Sequence, residues 1–288
     1  MEGFAQNLVN AMLLGGTLAL VALGFSIVWG VLNIINLMHG VFVMLGAYVT
    51  YSAFTYLGID PFLSIPFSML IIFGLGYLLQ RYLINLVIRA PLLVTFLLTF
   101  GLEMVFVNVA LLIWKGDFRS VTTGYSGVGL VLGAVKIPYI RLAGIAISFL
   151  LALLLHLFMT YTKTGNAIRS VGMDLDAARL MGVSIAPTYA VTYAIGAALA
   201  AAAGSLISMT FPIYPNMVGS WTLRAFVIVV LGGLGSIPAV LLGAFAFALV
   251  EVFGGSYLPG LKDAIAFAVL VLVLVVRPSG IAGKAFYK

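Results

Sequence analysis

The chain has 288 residues, 64% of them hydrophobic and 8% charged, with a mean hydropathy of +1.23. A protein surrounded by water needs far more charge on its surface, so this composition excludes a soluble globule and calls for lipid. There is no Cys, which excludes disulfides, thiolate nucleophiles and thiolate metal sites; the net charge of +6 lacks the clustered basic face that nucleic acid requires and suits loops beside an anionic leaflet.

Apolar runs at 8–30, 41–58, 62–80, 92–114, 140–161, 188–210, 223–253 and 259–277 predict an all-α, polytopic integral membrane helix bundle. It has about eight membrane segments, all but 223–253 near the 20 residues that span a bilayer. Polar connections fall at 81–91, 115–139, 162–187 and 211–222, and nothing reads as a soluble domain, so 1–288 is one transmembrane domain. No Lys or Arg precedes the first run, which is therefore expected to be an uncleaved targeting segment.

The first run is followed by VLNIINLMHG (31–40), where Asn33, Asn36, His39 and Gly40 interrupt the apolar pattern. A broken helix survives at membrane depth only where protein or a water-filled cavity covers the freed backbone groups, so Asn33, Asn36 and His39 are candidate pathway residues. Helix-packing hydrogen bonds are the alternative for His39. Glu103 lies mid-way along 92–114, where an ionisable group is costly. It reads either as a proton relay or ammonium contact, or as a carboxylate bonded to a neighbouring helix. Glu251 reads as structural, and Arg224 as an anchor whose head snorkels to the interface.

The connection 162–187 contains TKTGNAIRSVGMDLDAARLMGV, with Lys163, Arg169, Asp174, Asp176 and Arg179 in one short stretch. Asp174 is placed to cap LDAARLM, Asp176 lies in its first turn, Arg179 near its end, and Gly182 is placed to stop it. The spacing predicts small amphipathic helices. They serve either to dock a partner or simply to form a solvated loop.

In 188–210, Gly196, Ala200 and Gly204 recur every four residues, the pattern of a helix that others approach closely. The 31 residues of 223–253 would make a helix of about 46 Å, against about 30 Å of hydrocarbon. Their middle reads GGLGSIP, so a broken or re-entrant pair is expected at Gly232, Gly233 and Gly235, which are further pathway candidates. A pair also keeps 162–187 and the basic C-terminus on one side. The Lys and Arg count supports that placement weakly: Arg81, Arg89, Lys163, Arg169, Arg179, Arg277, Lys284 and Lys288 face Lys115, Arg119, Lys136, Arg141, Arg224 and Lys262. Val43–Tyr48 is echoed by Val240–Phe245, each after a break, which suggests a two-fold internal repeat at an offset of 197.

No GxxxxGK[ST], HExxH or GxSxG occurs, and His39 and His156 belong to different helices. An enzyme, a built-in P-loop ATPase and a metal site are not expected. A proton-coupled secondary carrier using Glu103 and His39, and a passive channel for urea or a small amide, remain consistent with these residues.

GVLNIINLMHGVFVMLGAYV (30–49), TGNAIRSVGMDLDAARLMGV (164–183), VLGGLGSIP (230–238) and RPSGIAG (277–283) resemble, in the expected order, motifs of permease subunits of bacterial branched-chain amino acid ABC importers. The resemblance implies a gated route across the inner membrane for leucine, isoleucine and valine, with urea, short amides or other amino acids in neighbouring branches. It implies four kinds of partner: a second permease, identical or homologous, two ATP-binding subunits, an extracytoplasmic binding protein and membrane lipid. No cofactor is implied in this chain, ATP and Mg belonging to the ATPases. Gly165 to Gly182 would be the coupling helix, with Gly165, Arg169, Asp174, Asp176, Ala178, Arg179 and Gly182 meeting the ATPase.

Overall fold

The computed structural model describes residues 2–88, 90–133, 135–233, 236–276 and 280–281. Gly235 and the basic residues Arg89, Arg277, Lys284 and Lys288 lie outside them. In chain order the helices are α1 (Glu2–Leu32), α2 (His39–Leu57), α3 (Pro61–Leu79), α4 (Asn85–Val87), α5 (Leu92–Trp114), α6 (Tyr139–Tyr161), α7 (Lys163–Met173), α8 (Leu175–Leu180), α9 (Ile185–Ser208), α10 (Val218–Gly232), α11 (Ile237–Tyr257) and α12 (Lys262–Val276). A π-helical turn, Gln80–Ile84, joins α3 to α4 into one continuous rod. The only sheet among the described residues is an antiparallel hairpin, β1 (Gly129–Leu132) and β2 (Val135–Pro138).

Eight of the described helices are long and apolar enough to cross a membrane, as the sequence predicts, but the membership differs. The expected single segment 223–253 is two antiparallel helices. Gly232 lies against Ala239, Gly243 against Ile228, and Arg224 against Glu251. The break comes at Gly233, whose φ of +104° suits glycine and poorly suits any other residue. The first of the pair starts at Val218, inside what reads in the sequence as a polar connection. α12 starts at Lys262, after a 3-10 turn at Pro259–Leu261, against an expected start at 259; the expected last residue, 277, lies outside the described residues.

Two sides of the bundle can be told apart by contacts. On one, Gly172 of α7 meets Gly30 of α1, and Asn85 donates to the Ala186 carbonyl. On the other, Gln6 of α1 pairs with the Lys136 backbone of the hairpin, and Tyr125 donates to Asp60 at the start of α3. These are the α7 side and the hairpin side.

Helix α9 is the packing centre. Nearly all of its residues from Thr188 to Ser208 are buried. A Cβ on Gly196 would fall 2.6 Å from the Gly24 carbonyl oxygen of α1, and one on Gly204 would fall 1.9 Å from that of Val43 in α2. Small residues let the backbones themselves touch, which in lipid supplies the attraction that hydrophobicity cannot.

An internal repeat is present in the fold, but not the one the echo suggests. α1, α2 and α3 run toward the α7 side, the hairpin side and the α7 side in turn; α9, α10 and α11 run the opposite way at each step. α1 packs along α11 as α9 packs along α3. The counterpart of α2 is therefore α10, and the break 33–38 corresponds to 209–217. Val43–Tyr48 and Val240–Phe245 sit on non-equivalent helices; what they share is a small residue at a helix crossing, Gly46 against Ala201 and Gly243 against Gly232.

Candidate functional site

The centre of the bundle is built around the first break. Asn33 ends α1 with a φ of +52°, a left-handed conformation that asparagine tolerates, and turns the chain back into the interior. Its side chain is exposed. Asn36 and His39 are buried. Asn36 Oδ1 accepts from the Met38 amide at 3.1 Å and from Tyr193 Oη of α9 at 2.9 Å. Thr99 of α5 donates to the Ile35 carbonyl at 3.3 Å. Thr222 of α10 accepts from the Gly40 amide at 2.9 Å. Thr99 and Thr222 thus bond directly to backbone groups at the break, and Tyr193 holds the Asn36 side chain that accepts from the Met38 amide, which meets the requirement for irregular chain at membrane depth.

His39 opens α2 and donates from Nε2 to the Val21 carbonyl at 2.8 Å, with its ring edge-on to Phe25. The Val21 carbonyl lies within α1, so His39 ties the start of α2 to that helix. The N-terminal ends of α2 and α10 meet here: Gly40 faces the Val218 carbonyl at a spacing that leaves no room for a Cβ. The second break, 209–217, turns on Pro212 and Pro215 and is pinned on the hairpin side by paired backbone bonds between Arg119 and Ile213. Arg119 also donates to Tyr51 Oη at 2.9 Å and to the Trp114 carbonyl at 3.0 Å, and the Tyr51 bond holds its guanidinium above its ordinary pKa.

Of the other pathway candidates, Gly232 and Gly233 do not join this centre, and Gly235 lies outside the described residues. Gly232 and Gly233 form the α10–α11 turn on the α7 side, where a Cβ on Gly232 would fall 2.3 Å from the Ala239 carbonyl oxygen. Glu103 is half-buried on α5, a helix with few buried residues, and no described residue bonds to it. Arg224 is not an interfacial anchor: it donates to Glu251 at 3.2 Å inside the bundle and lies over the Trp221 ring. Breaking such a pair from one side is strongly destabilising, which places Glu251 in the structural column. Sequence reasoning missed Tyr193, Thr99 and Thr222; as lone hydroxyls on apolar helices they carry no spacing signal. It also missed the start of α10, for which FPIYPNMVG (211–219) was a legible turn signal.

On the α7 side, Thr162 caps α7 by accepting from Gly165, and Asp174 caps α8 by accepting from Asp176 and Ala177, both at 2.9 Å. Gly165 lies against the end of α6, with no space for a Cβ beside the Phe158 carbonyl, and Gly182 ends α8 at a φ of +83°. Ile168, Val171 and Ala178 are buried. Asp174, Asp176 and Arg179 are exposed, and Arg179 pairs with Asp176 at 3.4 Å. Among them Met173, Leu180 and Met181 are 87%, 88% and 85% exposed, an apolar patch on a polar, capped element. Arg169 differs from the other charged residues. It bonds to Asn166 and lines a cavity facing back toward α1 and α6.

A polytopic bundle with paired broken helices at its centre and a projecting polar element on one face defines a membrane transport component. The chain matches the family described as branched-chain amino acid transport system, permease component, over residues 7–274. It is 32% identical to the high-affinity branched-chain amino acid transport system permease protein BraD of Pseudomonas aeruginosa, covering 98% of this chain and 96% of the relative. It is 31% identical to the corresponding protein LivH of Escherichia coli (strain K12), with the same coverage, and 30% to LivH of Salmonella typhimurium. No solved structure matches. The chain belongs to the branched-chain amino acid transport permease family. It is a multi-pass membrane permease subunit of an ABC transport system and not an enzyme.

Proposed function

We propose that this subunit provides the gated route for branched-chain amino acids across a bacterial inner membrane. Two partner ATPases bind ATP and Mg, and an extracytoplasmic binding protein delivers the substrate. Similarity to high-affinity branched-chain amino acid permeases over 98% of the chain carries this reading. Residues 162–187 face the cytoplasm, and the α7–α8 element is the coupling helix. Its exposed Met173, Leu180 and Met181 enter an apolar groove of the ATPase, rimmed by Asp174, Asp176 and Arg179. ATP-driven closure of the ATPases moves this element. The shift reaches the centre through α1 and α9, the helices on which α7 packs. A second permease, identical or homologous, completes the pathway.

Purification in mild detergent tests the assembly: an ATPase and a second permease copy should accompany the chain. In proteoliposomes the complex should take up leucine with ATP and be insensitive to an uncoupler. Uptake that needs no ATPase and collapses with the proton gradient would establish a carrier instead. Flux that continues without ATP or binding protein would establish a channel.

A further inference from the structure

Between α1, α6, α7 and the start of α11 lies a cavity of about 420 Å³. Its walls are of two kinds. Leu23, Ile27, Leu155 and Met159 make an apolar surface, while Arg169, His156, Thr160 and Ser236 supply polar groups. The cavity sits on the α7 side of the bundle, where the end of α6 meets α7.

The lining contains Arg169 and His156 but no Asp or Glu. A zwitterionic amino acid would find an apolar wall and a partner for its carboxylate, but nothing for its ammonium. A group that is anionic at one end and apolar along the rest has every part matched. Arg169 spends one guanidinium N–H on Asn166 and keeps the others for a ligand. Basic pockets between membrane helices bind anionic headgroups by this chemistry.

We propose that this cavity is a binding site for an anionic phospholipid of the leaflet on the α7 side. The phosphate lies against Arg169 and His156, and one acyl chain runs along Ile27 and Met159. A lipid seated there touches α7, α1 and α11 together and so braces the projecting element against the bundle. The inference requires only that the chain lies in a bilayer; it does not depend on ATPase docking.

Native mass spectrometry of the full-length chain in mild detergent, offered phosphatidylglycerol or phosphatidylcholine, tests it. The wild-type chain should retain phosphatidylglycerol preferentially. Arg169→Gln should lower that retention about fivefold, the effect of one cation near a headgroup. Lys163→Gln, which removes a cation of the same helix outside the cavity, should leave it unchanged. Gly30→Leu should abolish the adduct: Gly30 lines the cavity, and a Cβ there meets nothing within 4 Å, so the side chain fills the space without disturbing the backbone. Equal retention of the two lipids, persistence of the adduct in Gly30→Leu, or an effect of Lys163→Gln as large as that of Arg169→Gln would each overturn the proposal. Displacement of the lipid by millimolar inorganic phosphate would reassign the site to a free anion and overturn it too.

Discussion

Gly40→Ala tests whether the two broken helices meet as described. A Cβ at this position would fall 2.1 Å from the Val218 carbonyl oxygen and 2.4 Å from Thr222 Oγ1. An ordinary carbon–oxygen contact is about 3.3 Å, so α2 and α10 would have to part by roughly 1 Å. That lengthens the 2.9 Å bond from the Gly40 amide to Thr222 beyond useful range. Overpacking of this kind costs about 1–3 kcal/mol and the lost bond about 1 kcal/mol, against about 1 kcal/mol that alanine gains over glycine in a helix. The net loss is about 1–3 kcal/mol, read from unfolding in mixed micelles by tryptophan fluorescence. Gly30→Ala is the control; with nothing nearby it should be neutral or slightly stabilising. Adding Thr222→Ala removes the hydroxyl but leaves the carbonyl, so it should not rescue Gly40→Ala. A Gly40→Ala chain as stable as Gly30→Ala would refute the contact and the pairing of α2 with α10.

Tyr193→Phe removes the hydroxyl that donates to Asn36 and should cost about 0.6–1.7 kcal/mol in the same assay, the range of interhelical hydrogen bonds in membranes. Arg179→Glu places a like charge three residues from Asp176 on the exposed element and should leave membrane insertion intact while separating ATP hydrolysis from uptake in the reconstituted complex; coupled uptake at the wild-type rate would count against docking there. Glu103→Gln should leave uptake unchanged, because Glu103 is half-buried and no described residue bonds to it; loss of uptake would return it to the pathway. Burial first, and the bond to Asp60 second, push the Tyr125 phenol from 10.0 up to about 12. The folded state then holds this proton more tightly than the unfolded chain, so the stabilisation is present below pH 10 and lost as pH rises toward 12. Tyr125→Phe should flatten that part of the thermal-stability profile, and identical profiles would refute it.

Much of this molecule could be read in the sequence because lipid leaves few choices. Apolar runs of spanning length had to be helices, and Asp174 two and three residues before free amides had to act as a cap. Gly196 and Gly204, eight residues apart, had to share one face of α9. Such features depend on local spacing, and local spacing is what a sequence displays. The break at GGLGSIP was legible for the same reason.

Long-range partners were not. Nothing in the spacing says that Arg224 faces Glu251 rather than the interface, or that Tyr193 closes on Asn36 from 157 positions away. The matching of α2 with α10 was hidden because an inverted repeat keeps the order of helices while reversing their direction, and side chains facing opposite leaflets do not stay alike. Composition and period alone determined that this chain is a membrane bundle with one capped polar element. Only the packed structure decided which broken helix meets which, since that depends on backbones approaching at glycine, a contact that leaves no periodic mark.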